Sequence, residues 1–556
     1  MMSERGHIDS FHMMVIGKYF ESIDDFMNVE MANKRYEGLT ERYKYNPVPL
    51  NNERSRKMFP RIETKHLYNK EYNVISDEKI KRRVYWYPVS YREFTRKKNN
   101  GENDECKCVV YTKEDQNEYV DEIPECVSVI DKECFRFCTS MTSINLPTNV
   151  SYIGDRCFFG CSSLSSISIP SSVSYIGDRC FSYCSRLTSI SIPTSVSYIG
   201  EECFSNCSSL ISINIPTSVN VVGKGCFNGC SSLTSIVIPT SVSEIGDGCF
   251  EFCSSLRSIS IPSSVSKIGS ECFLSCTGLT EVIINEGNEH YVMYRGGIFD
   301  KAKSRMVEYL ASNTNTSFNI PTSVNEIDRF CFISCTSLSS ISIPTSVSKI
   351  GYRCFYECNS MKSVRIPTSV SEIGESCFRF CTSMTSISIP KSVSVLSKEC
   401  FYGCSSLTPV SIPTSVSEIG ERCFSDCNSM TGITIPTSVN VIGNRCFQYC
   451  NLMTSISIPR SMSEIDEGCF RYCYSLRSIS IPTSVSKIGY CCFKGCISLR
   501  SISIPTSVSK IVDRSFHNCW SLTAITIPSR FSQQMKEFFN WEVVRWCTRR
   551  STITYT

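Results

Sequence analysis

The sequence predicts an α/β solenoid of stacked 23-residue coils, each made of short parallel strands and a helical or 3-10 turn, behind a small helical or mixed N-terminal cap domain. Three observations predict it. An Ile-Pro or Leu-Pro step recurs every 23 residues from Pro124 to Pro262, and again from Pro321 to Pro528. Two cysteine rows, Cys134-Cys157-Cys180 onward and Cys138-Cys161-Cys184 onward, keep that period and hold 31 of the 36 cysteines. Between them, apolar residues alternate with serines at the spacing of a half-buried strand.

In the unit from Leu164 to Cys184, Ser166-Ile167-Ser168-Ile169 alternates, so Ser166 and Ser168 face outward and the isoleucines inward. Pro170 ends the strand because it has no N–H to donate. Val173 and Ile176 form a second extended piece closed by Gly177. Cys180, Phe181, Cys184 and Leu187 then fall at helical spacing with one side buried. One such unit has about six large apolar side chains, each worth roughly 2 kcal/mol when buried. Ordering its backbone costs roughly 1 kcal/mol or more per residue. An isolated coil therefore does not fold, and stability comes only from stacking on neighbours.

Five segments follow. Residues 1–121 show no repeat and are expected to form the cap domain. Residues 122–285 and 321–528 are the two parts of the array. Residues 286–320 are an insertion, preceded by a degenerate coil with Asn285 in the proline position; within it, Tyr291 to Tyr309 reads as a hairpin with turns at Gly296-Gly297 and Asp300-Lys301. Residues 529–556 form a C-terminal tail, and Ser515, in a cysteine position, marks an end expected to be more exposed.

The unit Leu-x-x-Ile-x-Ile-Pro-x-x-Val-x-x-Ile-Gly-x-x-Cys-Phe-x-x-Cys resembles the BspA-like leucine-rich repeats, named for a bacterial surface protein. The family usually has Ala where this chain has Cys157, Cys180 and Cys203. The resemblance implies a leucine-rich-repeat solenoid that binds proteins or cell surfaces and carries no catalytic residues. Residues Ile16 to Leu39, with Phe20, Ile23, Phe26, Val29 and Tyr36 at helical spacing, resemble part of an F-box-like module, which implies docking to a ubiquitin-ligase adaptor.

The cysteines fit neither zinc nor disulfides. They are spaced C-x₃-C, once per coil, in an open ladder rather than a closed set of four. Stacked coils hold like cysteines about 4.8 Å apart with parallel side chains, unlike the converging geometry of a disulfide. Buried free thiols pack as small hydrophobes. No metal or cofactor is expected.

The charge of +4, from 57 basic and 53 acidic residues, excludes a nucleic-acid coat. No run of 18 apolar residues is present, so no membrane span is expected. The first residues lack a secretory signal pattern, which points to the cytoplasm, with leaderless export to the cell surface as the alternative. The segment Lys79 to Tyr87 mixes basic and aromatic residues and reads as a solvated strand edge of the cap domain, against a nucleic-acid patch. His7, His12, His66, His290 and His517 have no nucleophile or metal partner at motif spacing, so no enzyme is expected.

Variation is concentrated in two places. The residue before Ile-Gly changes from Tyr152 and Tyr175 to Glu244, Lys267, Glu372 and Lys487. The pair between Phe and Cys includes Arg136-Phe137, Ser182-Tyr183, Glu251-Phe252, Arg379-Phe380 and Arg471-Tyr472. Arginine beside an outward aromatic suits an interface, so Arg136, Phe137, Tyr183, Phe252, Arg379, Phe380, Arg471 and Tyr472 are the candidate protein-binding residues. The expected function is a non-enzymatic interaction scaffold for an unidentified protein partner. Two alternatives stay open: a ligase substrate adaptor and a leaderless surface adhesin.

Overall fold

The computed structural model describes residues 8–50, 53–70, 79–100, 103–118, 122–310, 314–539 and 552–556. The chain divides into two compact units, Met1–Asn220 and Val221–Thr556.

The first unit begins with helices Ser10–Ile16 and Ile23–Ala32. Ser22 and Asp25 form a capping box that fixes the start of the second helix. Phe26, Leu39, Tyr43, Val48, Leu50, Phe59 and Ile62 make the core of this module. Parallel stacking then begins well upstream of the repeat. Thr64–Leu67 pairs with Arg82–Tyr85, which pairs with Glu105–Cys106. Val89–Ser90, Val109–Tyr111, Val129–Ile130, Tyr152–Ile153, Tyr175–Ile176 and Tyr198–Ile199 form one parallel ladder in chain order. The sequence pattern hides these early strands because they lack the proline and cysteine rows, while backbone pairing needs neither.

Within the repeat each coil gives two strand rows in a 23-residue register. Ser143, Ile144 and Asn145 pair with Ser166, Ile167 and Ser168, and Tyr152 pairs with Tyr175, which pairs with Tyr198. The outward serines are exposed and the isoleucines buried, as the alternation requires.

The turn after the second strand takes the 3-10 form of the sequence expectation rather than the α-helical one. Among the described residues α-helix lies at the ends of the chain, from residue 10 to 118 and again at Met535–Phe538, and not in the coils. The Cys-Phe-x-x-Cys segment forms consecutive turns instead. Cys138 N–H bonds to Phe135 O at 3.1 Å in 3-10 fashion, whereas Phe135 N–H and Phe137 N–H bond to Cys157 O and Phe159 O of the next coil, both at 2.8 Å. Left-handed residues at two places per coil, such as Arg179 (φ 55°) and Tyr183 (φ 62°), stop helix propagation and aim alternate N–H groups along the stack. Coil-to-coil hydrogen bonding thus replaces a helix.

The buried rows stack face to face. Phe135, Phe158 and Phe181 follow one another at 5.2 and 5.3 Å with parallel rings. In the second unit the same row runs from Phe332 through Phe516 to Phe539. The described cysteines are free thiols. The second cysteine row does more than fill space, because Cys161 Sγ and Cys184 Sγ donate to Phe135 O (3.1 Å) and Phe158 O (3.2 Å) of the coil before. Desolvation raises the pKa of Cys161 in the second row and of Cys180 in the first, keeping them as thiols.

In the second unit, Tyr291–Tyr294, Gly297–Asp300 and Arg305–Tyr309 form an antiparallel meander, and Arg305–Met306 rejoins the parallel ladder against Glu326–Ile327. The stack resumes with Tyr309 in the phenylalanine row, 5.2 Å from Phe332. Glu308 consequently falls in the first cysteine row and is buried. Its Oε1 accepts the Phe273 N–H at 3.0 Å, a bond that regular coils give to a cysteine carbonyl, as in Phe250 N–H to Cys272 O.

The end of the array is not exposed as expected. Strand Ile553–Tyr555 pairs with Ala524–Ile527, and Phe539 stacks on Phe516 at 4.9 Å. Ser515 is therefore fully buried, and its Oγ donates to Gly489 O at 2.9 Å.

Candidate functional site

The candidate residues lie on the edge where each coil turns from its phenylalanine to its second cysteine. They do not converge on one site. In the first unit Arg136 packs over Phe137 and Phe159, at 5.0 and 5.5 Å, while its guanidinium pairs with Glu133 at 3.1 Å. Tyr183 continues this edge against Phe159 at 5.4 Å. In the second unit Phe252 stands apart, half exposed, beside Glu251. Arg379 lies 4.9 Å from Phe380 and is held between Tyr402 (4.5 Å) and Tyr356 (5.9 Å), with its charge met by Glu399. Arg471 lies over Tyr472 at 4.8 Å, and Tyr472 stacks on Tyr449 at 5.0 Å.

Phe159, Tyr356, Tyr402 and Tyr449 were missed by reading pairs within single coils. Their signal was the period: Tyr356, Arg379 and Tyr402 occupy one position in three successive coils. An arginine stacked between rings is partly desolvated, which strengthens cation–π attraction.

Three aromatics of this edge are left-handed, Phe137 at φ 59°, Phe380 at 60° and Tyr472 at 60°. That backbone costs a non-glycine residue roughly 1–2 kcal/mol. Two contacts hold it. Each N–H bonds to the next coil, as in Tyr472 N–H to Lys494 O at 2.7 Å. Each ring also lies on a glycine of the next coil: a Cβ on Gly160, Gly403 or Gly495 would stand 2.5, 2.4 or 2.3 Å from Phe137, Phe380 or Tyr472. Phe137 is thus seated yet exposed, and Phe380 and Tyr472 seated and partly buried, with their conformation set before any partner arrives.

The variable row before Ile-Gly resolves in part into matched neighbours. Tyr152, Tyr175 and Tyr198 stack at 4.5 and 4.8 Å. Further along, Glu244 pairs with Lys267, Lys349 with Glu372, and Glu464 with Lys487, while valines occupy the position at 221, 395 and 441 and Lys487 also adjoins Lys510. Exposed pairs of this kind add little stability each.

Other motifs do not assemble a reactive centre among the described residues. His12 bonds to Asp9 at 2.8 Å, and His66, stacked on Tyr45 at 4.6 Å, has its pKa lowered to about 4 by burial. His7 lies outside the described residues. In the Lys79 to Tyr87 segment, Lys81, Arg82 and Arg83 pair with Glu63, Glu105 and Asp104, leaving a charge-balanced strand edge. No group of three metal-ligating side chains is present among the described residues. No described helix is long and apolar enough to cross a membrane.

The family described as BspA type leucine rich repeat region matches residues 117–227, 199–295, 307–431 and 417–543. The chain belongs to the BspA-type leucine-rich repeat family. The match begins at residue 117, so the helical module at residues 8–50 lies outside it. No curated protein matches the chain. Among solved structures, a leucine rich cell surface protein from Faecalibacterium prausnitzii is similar at 28% identity and TM-score 0.44, over 64% of this chain and 83% of the other. A leucine-rich repeat protein from Bacteroides ovatus is similar at 28% identity and TM-score 0.40, over 72% and 91%.

Proposed function

We propose that this BspA-type repeat protein is a non-enzymatic scaffold that binds other proteins along its left-handed edge. One observation carries the reading. The buried rows repeat one residue type coil after coil, while the edge changes and displays arginine–aromatic clusters already locked by glycine seats and coil-to-coil hydrogen bonds. Locked side chains lose little entropy on binding, and arginine and aromatic residues dominate interface energetics. The chain is proposed to work in the reducing cytoplasm, which suits buried, unpaired thiols in ladder geometry.

The experiment is affinity capture from the source cells with the full chain. The comparison is a variant carrying Phe137→Gly, Arg379→Ser, Phe380→Gly and Tyr472→Gly, residues that other coils place at these positions. Loss of the captured partners with an unchanged circular dichroism spectrum is expected. Capture of the same partners at equal yield would refute the edge as the binding surface. Antibody labelling of intact and permeabilised cells tests the compartment; labelling of intact cells would overturn it.

A further inference from the structure

The last coils of the second unit depart from the repeat in a way that packing does not require. The residue after the second cysteine is Ser, Thr or Asn in coil after coil, from Thr139 and Ser162 to Asn428 and Asn451. In three consecutive coils it becomes Tyr474, Ile497 and Trp520, which are 38%, 42% and 54% exposed. Ser521 N–H bonds to Ile497 O at 3.2 Å, as Ser475 N–H does to Asn451 O, so this row is stacked like the others. The three exposed side chains occupy one position in successive coils, and the Tyr472 ring lies 6.0 Å from Tyr474 at one end. Solvated turns gain nothing from apolar groups, and a contiguous exposed stripe marks a contact surface.

Charge shows what covers it. From Phe470 to Thr523 the chain has seven lysines and arginines and one acid, Asp513, although the whole chain is nearly balanced. The first two of the three coils carry cations on both sides of the stripe, Arg471 and Lys494 before it and Arg477 and Arg500 after it, and the third has His517 and Thr523 there. The ion pairs of these coils join Arg445 to Glu467, Lys487 to Glu464 and Arg514 to Asp513. Arg471, Arg477, Lys494 and Arg500 have no carboxylate partner among the described residues. Unneutralised cations on both flanks of an apolar strip are complementary to a chain segment with apolar side chains between acids.

We infer that Tyr474, Ile497 and Trp520, flanked by Arg471, Lys494, Arg477 and Arg500, bind an acidic peptide segment bearing aromatic or aliphatic anchors. Coils repeat at about 4.8 Å, so three span about 10 Å, the reach of roughly three extended residues. A short anchor motif is therefore expected, with acids on either side. The inference rests on the scaffold reading and specifies the chemistry of one partner.

The test pans the full chain against a display library of random short peptides and measures the selected peptides by fluorescence anisotropy. Enrichment of Asp and Glu around Phe, Trp or Leu is expected. The variant Tyr474→Ser/Ile497→Ser/Trp520→Ser restores the polar residue of other coils and should bind about a hundredfold more weakly. Arg477→Glu/Arg500→Glu should weaken binding about tenfold and flatten its dependence on salt. Selected peptides without acids, no enrichment, or equal binding by the triple-serine variant would overturn the inference. So would stripe-dependent binding of single-stranded DNA or anionic vesicles tighter than that of the peptides. If the triple-serine variant still captures the same cellular partners as the parent, this site falls while the scaffold reading stands; the edge variant above tests that reading separately.

Discussion

Glu308 offers a sharp test, because a carboxyl group sits where other coils place a thiol. Glu308 is 4% exposed, Oε1 accepts the Phe273 N–H, and Oε2 has no hydrogen-bond partner among the described residues. Burial, reinforced by Glu271 and Glu251, raises its pKa from 4.5 to about 8. The folded state therefore holds a proton that the unfolded chain gives up. Below pH 4.5 both states are protonated and Glu308 carries no penalty. Between 4.5 and 8 the native state binds more protons than the unfolded chain, so stability falls as pH rises, and above 8 the full cost remains. At about 1.4 kcal/mol per unit, the shift corresponds to roughly 5 kcal/mol as an order of magnitude. Glu251, raised to about 7 by its own burial, acts in the same direction at a more solvated site. Glu308→Gln keeps the acceptor for Phe273 and removes the charge. The variant should match the parent at pH 4.5 and exceed it by a few kcal/mol at pH 8.5. Hydrogen exchange at the Phe273 amide, expressed as protection relative to the unstructured rate, reads the joint directly. An unchanged slope in the variant, or a parent that gains protection from pH 5 to 8.5, would refute the reasoning.

Other expectations follow from the stack. Phe401→Ala removes a ring packed between Phe378 (5.7 Å) and Phe424 (5.3 Å) and should cost about 3–5 kcal/mol, read by urea unfolding; a loss below about 1 kcal/mol would mean that the row is not packed. Gly403→Ala should lower stability by about 1–3 kcal/mol and displace the Phe380 ring, detectable by its nuclear Overhauser contacts, and a neutral result would remove the glycine seat. Buried cysteines such as Cys249 and Cys377, raised above their ordinary pKa of 9 by desolvation, hold protons that the unfolded chain loses, so stability should fall as pH climbs past 9. Alkylation at pH 8 should accordingly be slow in the native protein and rapid in denaturant; fast native labelling would refute this burial. Deleting one whole 23-residue unit should be tolerated, whereas deleting about half a unit should disrupt the neighbouring coils, seen as lost thermal cooperativity; equal tolerance would count against register-dependent stacking.

The amino-acid sequence by itself determined the period, the buried rows and the strand faces. Ile167, Phe181 and Cys184 are buried because a 23-residue repeat leaves a coil no other way to shelter them, and the spacing states that directly. Tertiary structure alone decided what the turns are. Helical spacing at Cys180, Phe181, Cys184 and Leu187 suits an α-helix and a 3-10 turn alike, and hydrogen bonds to the next coil, with left-handed residues at Arg179 and Tyr183, select the turn. The same holds for the sandwich of Arg379, the ring of Tyr472 on Gly495, the burial of Ser515 and the carboxyl of Glu308 in a thiol row. Each is a contact between coils, which the repeat makes necessary but whose partners are set only when one coil lies on the next.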